Sequence, residues 1–230
     1  MDKEGRGTAV LEKRKEGLTL TDGKLEIRGD FEKMLPRLRQ GNLERELLVK
    51  ASGIRKGKKN DSDCGGTEHI PTAVDATAGL GEDSLLLAAA GFSVTMYEKD
   101  PVIAALLRDT LLRAEDVPEL SGIVKNMKLI GEDSIPALQS LSFRPDLILL
   151  DPMFPERQKS AAVKKKFQLL HQLEEPCRNE EEFINAAFSS CPKRLVVKRP
   201  AKGPFLSGRR PDYSLTGKAV RYDCYINITK

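Results

Sequence analysis

Tryptophan is absent from this 230-residue chain, and only 5% of its residues are aromatic. Aliphatic side chains must therefore fill any core, and at 40% hydrophobic content there are enough of them for one substantial core. Histidine occurs only at His69 and His171, and the four cysteines (Cys64, Cys177, Cys191, Cys224) are scattered without a C-x-x-C pair. That pattern has neither zinc-ligand spacing nor a disulfide framework, so we expect no metal site and a reducing, cytoplasmic setting. No apolar run approaches the ~20 residues of a membrane-spanning helix. The charged N-terminus also lacks the apolar stretch of a secretion signal, so we expect a soluble protein with no membrane partner.

Charge is present in both signs but unevenly placed. Residues 1–70 carry 16 Lys/Arg against 13 Asp/Glu, residues 71–150 carry 6 against 12, and residues 151–230 carry 16 against 9. The middle of the chain is thus acidic and the last third basic. Basic clusters lie at 55–59, 164–166, 193–194, 198–199 and 209–210. A single such run is usually a solvated face, but several flanking one loop favour a phosphate-rich partner bound by counterion release.

The organisation reads as a small N-terminal segment, residues 1–70, followed by one α/β domain, residues 71–230. Within the first, residues 18–28 carry a Thr-Asp-Gly-Lys turn and read as a hairpin. Leucines at helical spacing predict a helix over 32–52, and residues 56–67 read as a polar, glycine-rich linker. From Pro71 onward short apolar runs alternate with helical stretches, which implies a parallel sheet with right-handed crossovers. We place strands at 73–77, 93–98, 127–131, 146–151 and 194–199, and helices at 83–90, 101–115, 134–141 and 180–190. Two last runs, 213–216 and 221–228, are placed to pair as an antiparallel hairpin at the sheet edge.

Ligands of such sheets bind beyond the carboxyl ends of the strands. Four acids fall there: Asp75, Glu98, Asp133 and Asp151. After Asp75 come Gly79 and Gly81, spaced G-x-G, which allow a sharp turn and close ligand approach. Ser84 stands where a dinucleotide fingerprint requires its third glycine. An acid four residues ahead of G-x-G is similar instead to the loop that wraps the methionine end of S-adenosylmethionine (SAM). Glu98, at the end of the second strand, is positioned for ribose hydroxyls, a role that serves NAD equally well. Asp133, after the third strand, suits an adenine amino group, with a solvated loop acid as the plain alternative. Asp151-Pro152-Met153-Phe154 resembles the catalytic loop of methyltransferases that act on planar amines. There the carboxylate and a backbone carbonyl accept from the exocyclic NH₂ and the aromatic ring stacks on the base.

Taken together, 75–83, 151–155, Lys159-Ser160-Ala161 with Val163-Lys164-Lys165, Val196–Pro200 and Leu47–Ile54 resemble the RsmJ-type family. Its members are small-subunit (16S) ribosomal RNA guanine-N2 methyltransferases that use SAM. The resemblance covers roughly residues 10–230. It implies a Rossmann-like class I SAM methyltransferase sheet with a C-terminal antiparallel hairpin, plus a small N-terminal α+β segment. Carried over by position, it puts cofactor contacts on Glu82, Asp83, Glu98, Lys99, Asp133, Ser134 and Asp151, beside Asp75, Gly79 and Gly81. Glu82 and Lys99 depart from the residues expected there, which bears on details of cofactor contact. The catalytic set becomes Asp151, Pro152 and Phe154. Lys159, Lys164, Lys165, Lys198 and Arg199 are candidates for RNA phosphates, with surface solubility as the alternative. The partner implied is 16S ribosomal RNA or the small ribosomal subunit.

Other readings stay open on sequence alone. The same loop serves adenine-N6 or cytosine-N4 methylation of DNA or RNA. An NAD-dependent oxidoreductase is disfavoured by the missing glycine and by the Asp151 loop. A non-catalytic RNA-binding protein on the same fold is the third.

Overall fold

The computed structural model describes residues 9–54, 70–152, 179–226 and 228. Strands are β1 (Val10–Arg14), β2 (Gly17–Thr21), β3 (Glu26–Ile27), β4 (Thr72–Asp75), β5 (Ser93–Tyr97), β6 (Met127–Ile130), β7 (Leu147–Leu150), β8 (Arg194–Pro200), β9 (Tyr213–Thr216) and β10 (Val220–Ile226). Helices among the described residues are α1 (Leu35–Leu38), α2 (Gln40–Leu43), α3 (Leu47–Ser52), α4 (Glu82–Ala90), α5 (Pro101–Glu115), α6 (Pro118–Val124), α7 (Ser134–Gln139) and α8 (Glu180–Ser189).

A seven-stranded sheet runs in the order β6-β5-β4-β7-β8-β10-β9. Strands β4 to β8 are parallel to one another, and β10 lies antiparallel between β8 and β9. The expected C-terminal hairpin is present, with β9 outermost. Helices cover both faces, so a central strand must be apolar on both sides. Strand β7 meets this with four fully buried residues: Leu147 and Leu149 join one core, Ile148 and Leu150 the other. Val196 and Val197 of β8 divide the same way.

Helix ends follow their capping residues. Asp100 caps α5 by accepting from the Val102 and Ile103 amides (2.8 and 3.0 Å), with Pro101 in the first turn, where no amide is missed. Asp133 caps α7 through the Ile135 amide, and Asn179 caps α8 through the Glu182 amide. The expected boundaries agree with those observed to within about two residues for β4 to β8, α4, α5, α7 and α8, the usual uncertainty at element ends.

The N-terminal segment differs more. The predicted helix over 32–52 is broken into a 3₁₀ turn (Glu32–Met34) and the short helices α1, α2 and α3. Arg39 and Glu46 take extended ψ values of 136° and 129°, which re-aim the chain twice. The bends let Phe31, Met34, Leu43, Leu48 and Val49 enter the core shared with α4 and the sheet, which one straight helix could not do. The hairpin around residues 22–24 is present as β2–β3. It gains an outer strand, β1, that the sequence reading left out, as it left out α6. This three-stranded sheet lies on α5, where Leu20 and Ile27 meet Ile103 and Leu106. Arg113 of α5 pins it by donating to the Gly29 carbonyl at 2.7 Å.

Candidate active site

The tips of β4, β5, β7 and β8 converge beside the turn that leads into α4. That turn is shaped by Gly79 (φ +53°) and Gly81 (φ +79°), both in the left-handed region. Their surroundings differ. A Cβ on Gly81 would lie 2.6 Å from Leu107 Cδ1 and 3.1 Å from Phe31 Cζ, whereas one on Gly79 would meet nothing within 4 Å. Gly81 is thus required by packing, and Gly79 faces open space.

Asp75 does not face that space. It is 2% exposed, accepts from the Ser84 hydroxyl at 2.5 Å and from the Thr77 amide at 3.0 Å. Burial pushes its carboxyl up to about 7 despite these bonds. Ser84, which the sequence shows only as a missing third glycine, is the hydroxyl that holds this acid. Asp75 therefore organises the loop from behind.

Glu98 closes the loop from β5. Its Oε2 accepts from the Gly79 amide and its Oε1 from the Asp100 amide, each at 2.9 Å. Burial raises its pKa against those bonds. Each oxygen keeps a second lone pair, the capacity two ribose hydroxyls require. Glu82, Lys99 and Asp133 are exposed at the rim, and Ser134 is buried below Asp133.

Asp151 stands at the tip of β7, next to β4 in the sheet. Its amide donates to the Thr77 hydroxyl at 2.7 Å, and its side chain is 39% exposed, against 17% for Asp83. Pro152 behind it is buried. Lys198 of β8 extends its ammonium between Asp83 Oδ2 (2.5 Å) and Asp151 Oδ2 (2.9 Å). Burial opposes the lysine's charge, but Asp83 and Asp151 together reverse this and hold its pKa above the ordinary lysine range. Burial raises the Asp151 pKa, opposed by Lys198. Tyr222 sits opposite Lys198 in the β8–β10 register, and burial with the Asp83 charge raises its pKa as well.

Two of the residues assigned to RNA phosphates are engaged inside the protein. Lys198 has its charge engaged by two carboxylates of the site. Arg199 is 2% exposed, with its Nε donating to the Pro204 carbonyl at 2.8 Å and its guanidinium beside Glu180, so its charge is turned into the protein. Phe154, Lys159, Lys164 and Lys165 lie outside the described residues. Thr77 escaped the sequence reading altogether, though it lies within the Asp-Ala-Thr-Ala-Gly motif; only the neighbouring strand shows what it holds.

Among the described residues no group of three or more His, Cys, Asp or Glu could hold a metal ion. No described helix is long and apolar enough to cross a membrane.

Strand order, the glycine turn and the acids at successive strand tips define the class: a Rossmann-like α/β protein of the SAM methyltransferase type. Comparison with known proteins agrees. Over residues 4–227 the chain matches the family described as "Putative SAM-dependent methyltransferase". It is 43% identical over 159 residues to ribosomal RNA small subunit methyltransferase J of Neisseria meningitidis serogroup C, covering 68% of this chain and 64% of that protein. The namesake from Pseudomonas aeruginosa strain LESB58 is 40% identical over 181 residues, covering 78% of this chain and 65% of that protein. The chain thus spans slightly less than two thirds of the length of these curated relatives. A crystal structure of a SAM-dependent methyltransferase from Neisseria gonorrhoeae aligns with a TM-score of 0.72 at 29% identity, covering 98% of this chain and 85% of that one. The chain belongs to the SAM-dependent methyltransferase family. That membership disfavours the NAD-dependent alternative.

Proposed function

We propose that this protein methylates the exocyclic N2 amine of a guanosine in small-subunit (16S) ribosomal RNA, with SAM as methyl donor. The observation that carries the reading is the place of Asp151, half-buried at the tip of β7 and tied through Thr77 and Lys198 to the cofactor loop. A planar amine accepted there lies beside the cofactor's reactive end. Relatives named as small-subunit ribosomal RNA methyltransferases support the substrate class. The basic last third of the chain suits a phosphate-rich partner, naked RNA or the small ribosomal subunit, in the cytoplasm. The division into a 1–70 segment and a 71–230 catalytic domain belongs to the same proposal.

The residues present fit SAM. Gly79 leaves open space where a ligand could approach the backbone, Glu98 offers two carboxylate oxygens at the β5 tip, and Asp83 with Asp151 supplies negative charge for a cationic ligand. When bound, SAM would supply an electrophilic methyl group. The protein's work is then to position the amine and favour its lone pair. Guanine N2 is a weak nucleophile because that lone pair is delocalised into the ring. Asp151 Oδ1 would accept one N–H, and the Pro152 carbonyl the other, favouring a more pyramidal nitrogen. Phe154 is assigned stacking on the base from its place in the motif, after the base is splayed from its neighbours.

The test uses tritiated SAM with small subunits and naked 16S RNA from cells lacking the enzyme, followed by nucleoside analysis, with Asp151→Ala as control. Label in N2-methylguanosine, lost in the variant, is expected. Label in N6-methyladenosine or N4-methylcytidine would overturn the guanine assignment. No label despite SAM binding would favour the non-catalytic RNA-binding alternative.

A further inference from the structure

We infer that Lys198 is a positioning residue for the reaction, an internal counter-ion that keeps Asp151 ionised and its Oδ1 turned to the substrate amine. The inference rests on the methyl-transfer reading above.

The geometry is specific. One ammonium lies within 2.9 Å of carboxylates from two different elements, Asp83 at the first turn of α4 and Asp151 at the tip of β7. It reaches them from β8, where the residues before it, Leu195 to Val197, are fully buried and apolar. A lysine largely buried beside such a run is not explained by stability, since a buried ion pair is often no better than well-packed apolar side chains. What it does is local. Asp83 and Asp151 meet at a shared point, so without a cation between them they repel. One of the two would then take up a proton. A protonated Asp151 would carry a donor where the amine requires an acceptor.

The other charged and titratable groups near Asp151 do not replace Lys198. Asp75, behind it on β4, repels Asp151 when ionised and supplies no positive charge in any state. Tyr222 on β10 is held neutral. Arg199 contributes a weaker attraction and is already engaged with Glu180 and Pro204. Arg37 is held by Glu46 in a two-pronged contact at 2.7 and 2.9 Å. The ion pair with Asp151 is made at Oδ2, 2.9 Å from the ammonium, and Oδ1 is assigned to the amine. The same side chain ties the cofactor loop to the catalytic loop, so both hold their places before RNA arrives.

The experiment compares wild type, Lys198→Met, Lys198→Arg and the double variant Asp83→Asn/Lys198→Met. Each is followed in two ways: the pH profile of kcat/KM for methyl transfer, and ¹³C NMR titration of labelled Asp carboxylates with Asp151→Asn for assignment. In Lys198→Met the acid limb and the Asp151 titration should move up by about one pH unit or more, so that well below the acid limb activity falls about tenfold further than on the alkaline plateau. Lys198→Arg should titrate like wild type, because the charge remains. The double variant should recover most of the shift, because the repelling partner is gone. Titrations in Lys198→Met that superimpose on wild type would overturn the inference, as would Lys198→Arg shifting like Lys198→Met. A variant that only weakens RNA binding and its salt dependence would return Lys198 to phosphate contact. If wild type transfers no methyl group, the proposed function fails while the carboxylate titration still decides the Lys198–Asp151 link.

Discussion

The amide of Asp151 donates to the Thr77 hydroxyl at 2.7 Å, which fastens the tip of β7 to the turn that follows β4. One short polar side chain thereby sets the distance between the acid proposed to hold the amine and the loop proposed to hold the cofactor. Thr77 Oγ1 in turn lies 3.5 Å from Asp75, so both loops share one buried anchor.

Thr77→Val keeps the shape and removes the acceptor. The Asp151 amide then lacks its partner, at a cost of roughly 1–3 kcal/mol in stability. We expect kcat to fall about tenfold or more with a smaller change in SAM affinity, because a small misplacement of an oriented group is costly to rate. Steady-state kinetics and calorimetric SAM titration check this; equal losses in both would count against it.

The two glycines of the turn should respond in opposite ways. Gly81→Ala drives a methyl group against Leu107 and Phe31 at a positive φ, so thermal stability should drop by about 2 kcal/mol or more. Gly79→Ala has room, and backbone strain alone should cost it about 1 kcal/mol. Its Cβ would, however, project into the open space where the cofactor is proposed to approach. SAM affinity should therefore fall far more in the folded Gly79→Ala protein than its melting temperature does.

Asp75 makes stability depend on pH in a defined direction. Its carboxyl is raised to about 7 in the folded protein, so the fold favours the protonated form. Stability from this group is fully present below the unfolded pKa near 4 and is lost as pH rises through about 7. The full loss is about 4 kcal/mol as an order of magnitude. Asp75→Asn should flatten that decline between pH 4 and 7, with unfolding followed in denaturant at fixed pH. Glu98 and Asp151, also raised, add slopes of the same sign, which the comparison with the variant cancels.

Arg199→Ala should act on stability and leave RNA affinity alone. Removing it hollows a packed position and leaves Glu180, itself one-third exposed, without this partner, at about 1–3 kcal/mol. RNA affinity of the folded fraction, and its salt slope, should match wild type. A reduced slope would mean that Arg199 reaches phosphate after all.

Much of this was legible along the chain because it depends on neighbours in sequence. The α/β alternation, the strand tips, the glycine turn and the C-terminal hairpin all follow from local periodicity and turn chemistry. The broken N-terminal helix was not legible. Its leucines have helical spacing, yet the bends at Arg39 and Glu46 answer to α4 and the sheet, which lie far along the chain. Strand β1 was missed for the opposite reason: its exposed, charged pattern Val-Leu-Glu-Lys-Arg carries no burial signal.

By itself, then, the sequence determined the fold class and which acids stand at strand ends, because both are written in short-range pattern. Only the tertiary structure decided what those acids face. Asp75 turns inward to Ser84, Glu98 ties down Gly79, and Lys198 points to two carboxylates instead of solvent, while Arg199, one residue on, is buried beside Glu180. A residue's type states what it can bind; its partner depends on which strands the sheet sets side by side, and β4, β7 and β8 are neighbours in space and distant in sequence.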